Sequence, residues 1–262
     1  MIVDAFRSEW VKLRRPNLLF GTYGALTVAA AMFTALVFTQ ARHGAEGDSG
    51  LPSIEELARP NGLIHGLTRA AVLLGIVAFG LAAAQIASEY SLGTLRQLLV
   101  RQPRRALLLV GKVVAVITFL AGAVVIAAVG AGLVAIVMAH LRHIPTAAWS
   151  SSTGLADMTR ALGDMLLAVV GYVILGTAAG IALRSSVAAV VIGFAYLLPV
   201  ENVITAIVNG SARWLPGQSL EAVAGGGMAG VHYSGALLLT AVYVGIAAVG
   251  GLYPFVKRDV TA

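Results

Sequence analysis

The sequence contains no cysteine, which excludes disulfides, thiol nucleophiles and Cys-based metal sites. Charge is scarce as well. Asp, Glu, Lys and Arg make up 11% of the 262 residues, against about 25% in soluble domains. Lysine is the rarer cation, with three copies against fifteen arginines. No polar stretch exceeds about thirty residues, which leaves no room for a soluble catalytic domain. A phosphate-cradling G-x-x-x-x-G-K-[ST] loop is missing too. Gly111-Lys112 is followed by Val113, and Ala106 stands where the first glycine belongs. The chain itself is therefore not expected to hydrolyse ATP, and no cofactor is expected in it.

What is present is apolar sequence: 58% of the residues are hydrophobic and the mean hydropathy is +0.88. Several runs reach the length of about twenty residues that a bilayer crossing needs. The expectation is one all-α integral membrane domain, 1–262, with six transmembrane helices at 18–39, 70–87, 113–139, 165–183, 187–200 and 235–255. In the third, Gly122, Gly130 and Gly132 suit close helix packing. Pro199, Glu201 and Asn202 are expected to kink or break the fifth, with Val203 to Val208 continuing as a broken or re-entrant piece. Residues 1–16 predict an interfacial amphipathic helix that Pro16 ends. Val3, Phe6, Trp10 and Leu13 share its apolar face, with Trp10 at headgroup level. Its charge and the full-length span behind it argue against a cleaved signal.

The net charge of +6 serves orientation better than nucleic-acid binding. Alternate loops divide the Lys and Arg residues 12 to 6. The richer side takes both termini and is expected to be cytoplasmic, which places the chain in the cell membrane.

Between the second and third spans lies a polar loop, 88–112, with five of the eighteen Lys and Arg. Thr94 and Gln97 form a T-x-x-Q capping box, and Gly93 lets the chain turn ahead of it. Leu95, Leu98 and Leu99 then share one face, Arg96 and Arg101 flank it, and Pro103 stops the helix. The loop thus predicts a short rigid helix outside the bilayer, with Arg104 and Arg105 leading into the next span.

The set Glu89, Gly93, Thr94, Arg96, Pro103, Arg105 and Lys112 resembles the intracellular loop of ABC type-2 exporter permeases. The amphipathic start and the aromatic-then-basic end, Lys257-Arg258-Asp259, resemble that family too. The resemblance implies the transmembrane subunit of an ATP-driven exporter. It implies ABC ATPase subunits that hold ATP and Mg, and a second permease copy or homologue. The Thr94–Arg101 helix would couple to the ATPase. Glu89 reads either as a boundary charge at the end of its span or, within the matched set, as a link from span to helix that pairs with Arg96 or Arg105. An amphipathic or apolar cargo, such as a drug, peptide antibiotic or lipid-like molecule, fits spans that carry no charge cluster.

Two other classes compete. A transporter driven by an ion gradient needs an ionisable group inside a span. Glu201 is one if the fifth span continues past Val200, and a plain boundary charge if it does not. With Gln85 it makes up the candidate pathway, although Gln85 reads more simply as an interhelical hydrogen bond. An intramembrane enzyme needs a nucleophile and base, and His232 with Ser234 offers only a weak pair. His140 and His143 stand one turn apart, but two imidazoles do not make a metal site. Asp157, Arg160 and Asp164 read as a solvated ion-pair run at a helix entry, with Arg160 and Asp164 in contact.

Overall fold

The computed structural model describes residues 2–42, 52–94, 104–228 and 230–257. Helices dominate these residues, and no strand forms among them beyond two isolated bridges. In chain order the helices are α1 (Ile2–Leu13), α2 (Pro16–Gln40), α3 (Ile54–Leu57), α4 (His65–Arg69) and α5 (Ala71–Ser91). They continue with α6 (Arg105–Leu141), α7 (Ser152–Leu183), α8 (Ser186–Ile207), α9 (Pro216–Ala224) and α10 (Tyr233–Lys257). Six of them, α2, α5, α6, α7, α8 and α10, are long and apolar enough to cross a membrane. The start of α1 and the end of α10 lie at one end of the bundle, where Phe255 packs with Ala5, Ile86, Leu108 and Ile181. Val37, Phe38, Ala139 and Trp149 close the opposite end.

Two helices extend well beyond the predicted spans. α6 begins at Arg105 rather than 113, because the leucine-rich stretch after Arg104 carries the helix down to the loop. α7 begins at Ser152 rather than 165. Its start is fixed by Ser151, whose hydroxyl accepts from Gly154 N–H at 3.1 Å, an N-cap that satisfies one free donor. Asp157, Arg160 and Asp164 therefore lie on a helix. Asp164 accepts from Tyr233 Oη and does not pair with Arg160.

The fifth span does not break at Pro199. A π-helical turn at Tyr196–Val200 joins two α-helical pieces, and α8 runs on to Ile207. Proline has no N–H and its ring crowds the carbonyl four residues back. The wider π turn relieves that crowding. Asn202 Nδ2 donates to Leu198 O at 2.6 Å and occupies a carbonyl in this turn. Val203 to Ile207 thus ends the span rather than forming a re-entrant piece, and Val208, in extended conformation, follows it. The chain goes back into the bundle further on, as α9, inside the segment 209–234 that reads as polar and Gly-rich. α9 starts with Pro216 at its first position, where a missing N–H costs nothing. It buries Leu220, Ala222, Val223 and Ala224 in the main core with α5, α7 and α10. α3 starts at an S-x-x-E capping box, with Glu56 N–H donating to Ser53 Oγ at 3.1 Å.

The helices pack in two tight groups. In one, α1 and α2 lie on α6, and Tyr23 Oη of α2 donates to Phe119 O of α6 at 2.8 Å. In the other, α7 meets α5 almost backbone to backbone. A Cβ added at Gly176 would stand 2.3 Å from Phe79 O, so only glycine fits there.

Candidate functional site

Helix α1 buries Ala5, Glu9 and Leu13, one residue per turn. The predicted apolar face holds only in part. Phe6 and Trp10 stack at 5.6 Å and are half-buried, but Val3 is exposed. The buried stripe is centred on a carboxylate, because α6 offers it a groove and a cation. Ala5 sits over Gly111, where an added Cβ would come within 2.6 Å of it. The next residue, Lys112, is 3% exposed.

Lys112 Nζ donates to Glu9 Oε1 at 2.6 Å and to Glu89 Oε1 at 2.5 Å. Lys12 Nζ donates to the same two atoms at 2.8 and 3.0 Å. Two carboxylates and two ammonium groups thus close a neutral network that joins α1, α5 and α6. Burial pushes the Glu9 carboxyl upward, but the charges and hydrogen bonds of Lys112 and Lys12 together outweigh it and hold the group below its ordinary range. For Lys12 burial acts downward, and the bonds to Glu9 and Glu89 hold the ammonium above its ordinary range. Glu89 Oε2 is buried and has no hydrogen-bond partner. Beside the network, Glu9, Gln85, Lys112 and Thr177 line a void of about 10 Å³, room for roughly one water. A closed network of this kind has no free base or nucleophile. It fixes three segments relative to one another.

Of the residues predicted to couple to a partner, Glu89 is placed in this network. It takes Lys12 and Lys112 rather than Arg105, which lies in the first turn of α6. The physical reason is that both lysines reach the buried carboxylate from helices already packed beside it. Lys112 is thereby part of a helix wall and not of the loop. Gly93 has φ 67°, the left-handed conformation its turn requires, and Thr94 is exposed. Leu95, Arg96, Leu98, Leu99, Arg101 and Pro103 lie outside the described residues, as do Gln97, Arg258 and Asp259. Glu9 and Lys12 carried no signal in the reading above. The available clue was Lys112, the single charge within the apolar run 106–139.

Glu201 lies inside the fifth span and is fully buried. Its Oε1 accepts from Gly217 N–H and its Oε2 from Gln218 N–H, both at 2.9 Å. The carboxylate thus caps the N-terminus of α9, where two free donors and the positive end of the helix dipole meet it. Glycine at 217 permits the approach, since a Cβ there would fall 2.6 Å from Oε2. The structure does not bring Glu201 and Gln85 together: one caps α9, the other lines the void beside Lys112. His232 and Ser234 are exposed at the start of α10. No group of three or more metal-ligating side chains occurs among the described residues.

A family model described as a protein of unknown function, DUF2705, matches residues 25–261. No curated protein matches the chain.

Proposed function

The chain belongs to the DUF2705 family, and we propose that it is the membrane-embedded permease subunit of an ATP-driven ABC type-2 exporter. In this reading it sits in the cell membrane with both termini in the cytoplasm. It pairs with a second permease and with separate ATPase subunits that hold ATP and Mg. The observation that carries the proposal is the Glu9–Lys112–Glu89–Lys12 network. Glu89 stands in the last turn of α5 and Lys112 two turns into α6, so the network ties the two helices that flank the loop to α1. A loop between tied helices passes a push into the spans, whereas a loose one absorbs it. The Thr94–Arg101 helix is the part a partner would grip, with Leu95, Leu98 and Leu99 as anchors. The cargo is amphipathic or apolar, and the chain performs no chemistry of its own.

An ion-gradient transporter needs a carboxylate free to take up and release its ion. Glu201 has both oxygens engaged by backbone N–H groups, which favours the ATP-driven reading.

The test is purification of the tagged chain from its own host membrane, with and without its partners. The complex should hydrolyse ATP, and the stripped chain should not. Leu98→Asp places a charge in the anchoring face. It should release the ATPase at unchanged yield of permease. Turnover by the stripped chain, verified free of other ATPases, defeats the proposal. So does full partner retention and export by Leu98→Asp.

A further inference from the structure

A second polar constellation lies at the end of the bundle away from the termini. Asp157, Arg160 and Asp164 of α7, with Asn61, His65, Thr68 and the backbone of Gly225–Gly226, line a cavity of about 260 Å³. Asp164 is 8% exposed. Its Oδ1 accepts from Tyr233 Oη, and its Oδ2 has no partner among the described residues. Asp157 and Arg160 likewise have no ion-pair partner among them. Asp157 and Asp164 are two turns apart on one helix face, with Arg160 between them at the exposed rim. Burial lowers the pKa of His65, so its imidazole adds no positive charge near neutral pH. The cavity therefore presents one buried carboxylate with an open oxygen, a second carboxylate nearer the rim and one guanidinium at its mouth.

The depth of the cavity narrows its ligand. From Asp164 to Leu183 α7 rises about 29 Å, close to the hydrocarbon thickness of about 30 Å. The residues from Met165 to Leu183 carry no charge. With Leu183 at one boundary, Asp164 stands at the other, and Asp157 and Arg160 lie in the headgroup layer beyond it.

We propose that this cavity binds a zwitterion carrying a primary ammonium beside an anionic group, at headgroup depth. The ammonium goes to Asp164, whose Oδ2 is open, Asp157 adds negative charge two turns away at the rim, and the anion goes to Arg160. A phosphatidylethanolamine headgroup has this chemistry, and so does a small soluble amine phosphate. The choline headgroup does not, because its quaternary nitrogen donates no hydrogen bond to a carboxylate. The inference does not depend on an ATPase partner.

The test is thermal unfolding of the chain in nanodiscs of pure phosphatidylcholine, with phosphatidylethanolamine titrated in. The ethanolamine lipid should raise the midpoint, and Asp164→Asn should abolish at least four-fifths of the rise. Asparagine keeps an acceptor for Tyr233, and Asp157→Asn, at a half-exposed site without protein partners, should weaken the effect without touching the fold. Glycerophosphoethanolamine added to pure phosphatidylcholine discs separates the sources. Equal stabilisation by it assigns the site to a soluble ligand of the same chemistry. No stabilisation by either ethanolamine compound overturns the proposal, as does an undiminished rise in both Asn variants.

Discussion

Lys112→Met is the most informative single change to this protein. Methionine matches the length of the lysine stem and packs in the same groove, so the loss is one buried cation. Glu9 and Glu89 then share only Lys12, whose side chain is 38% exposed. Removing one member of a buried ion pair costs about 3–5 kcal/mol, because the remaining charge stays desolvated. That cost falls on the docking of α1, which is otherwise held by the burial of Ala5 and Leu13. Full burial of a leucine contributes about 1.5–3 kcal/mol, so the packing alone does not compensate. A loss of 3–5 kcal/mol raises the undocked fraction by roughly 150- to 5,000-fold. The chain has no cysteine, so Leu13→Cys introduces a unique thiol on the buried face. Its reaction rate with a bulky maleimide in detergent reads the undocked fraction directly. Lys112→Met should accelerate labelling by that factor, and adding Glu89→Gln should restore most of the protection by returning the network to neutrality. Equal labelling rates with and without Lys112 would refute the reasoning, since the network would then contribute no more than an exposed pair.

Two further tests bear on the buried charges. Glu9 titrates below its ordinary 4.5, so its contribution is complete above that pH and is lost as pH falls through the lowered value. Lys12 titrates above its ordinary 10.5, so its contribution is complete below that pH and is lost as pH rises through the raised value. Docking of α1, followed by Trp10 fluorescence, should therefore be flat between those limits and fail in acid below 4.5. Glu201→Leu leaves the Gly217 and Gln218 N–H groups buried without acceptors, at about 1–3 kcal/mol each. A marked drop in the thermal midpoint is expected, and an unchanged midpoint would mean that packing of Leu220 and Val223 alone holds α9.

The bundle itself is largely legible in the sequence, because a bilayer crossing needs an uncharged run of a fixed length. The ends of the spans are less so. Hydropathy registers where charge begins, not where a helix stops, and α6 and α7 both continue into charged sequence. The π turn at Pro199 escaped notice for a related reason. A proline signals the loss of one hydrogen bond, and the backbone has more than one way of absorbing it. The network at Glu9 was hidden by distance: Lys112, its buried cation, is 103 residues away along the chain, and Glu89 shares that cation from a third helix. An i, i+4 stripe of Ala, Glu and Leu carries no apolar signal until a cation is placed beneath it. α9 was missed because its glycines and polar residues suggest a surface loop. Its two legible marks were Pro216 at the start and Gly225 at the end.

The two packing groups and the network between them have a mechanical consequence. Glu9 and Lys112 belong to the group built on α6, and Glu89 to the group built on α5 and α7. Each group is stiff within itself, since Gly176 against Phe79 O leaves no slack and Tyr23 is fastened to Phe119 O. The two groups also share one apolar core, which takes in Val116 and Phe119 of α6, Phe79 of α5 and Tyr172 of α7, and the buried ion pairs fasten that seam at one end. A tilt between the groups therefore moves that end least and the far end most. With helices rising about 1.5 Å per residue, a lever some twenty residues long turns a tilt of 10° into about 5 Å of travel at its tip. Displacement delivered near residues 88–112 would thus be amplified at the opposite end, around Trp149 and the Asp164 cavity.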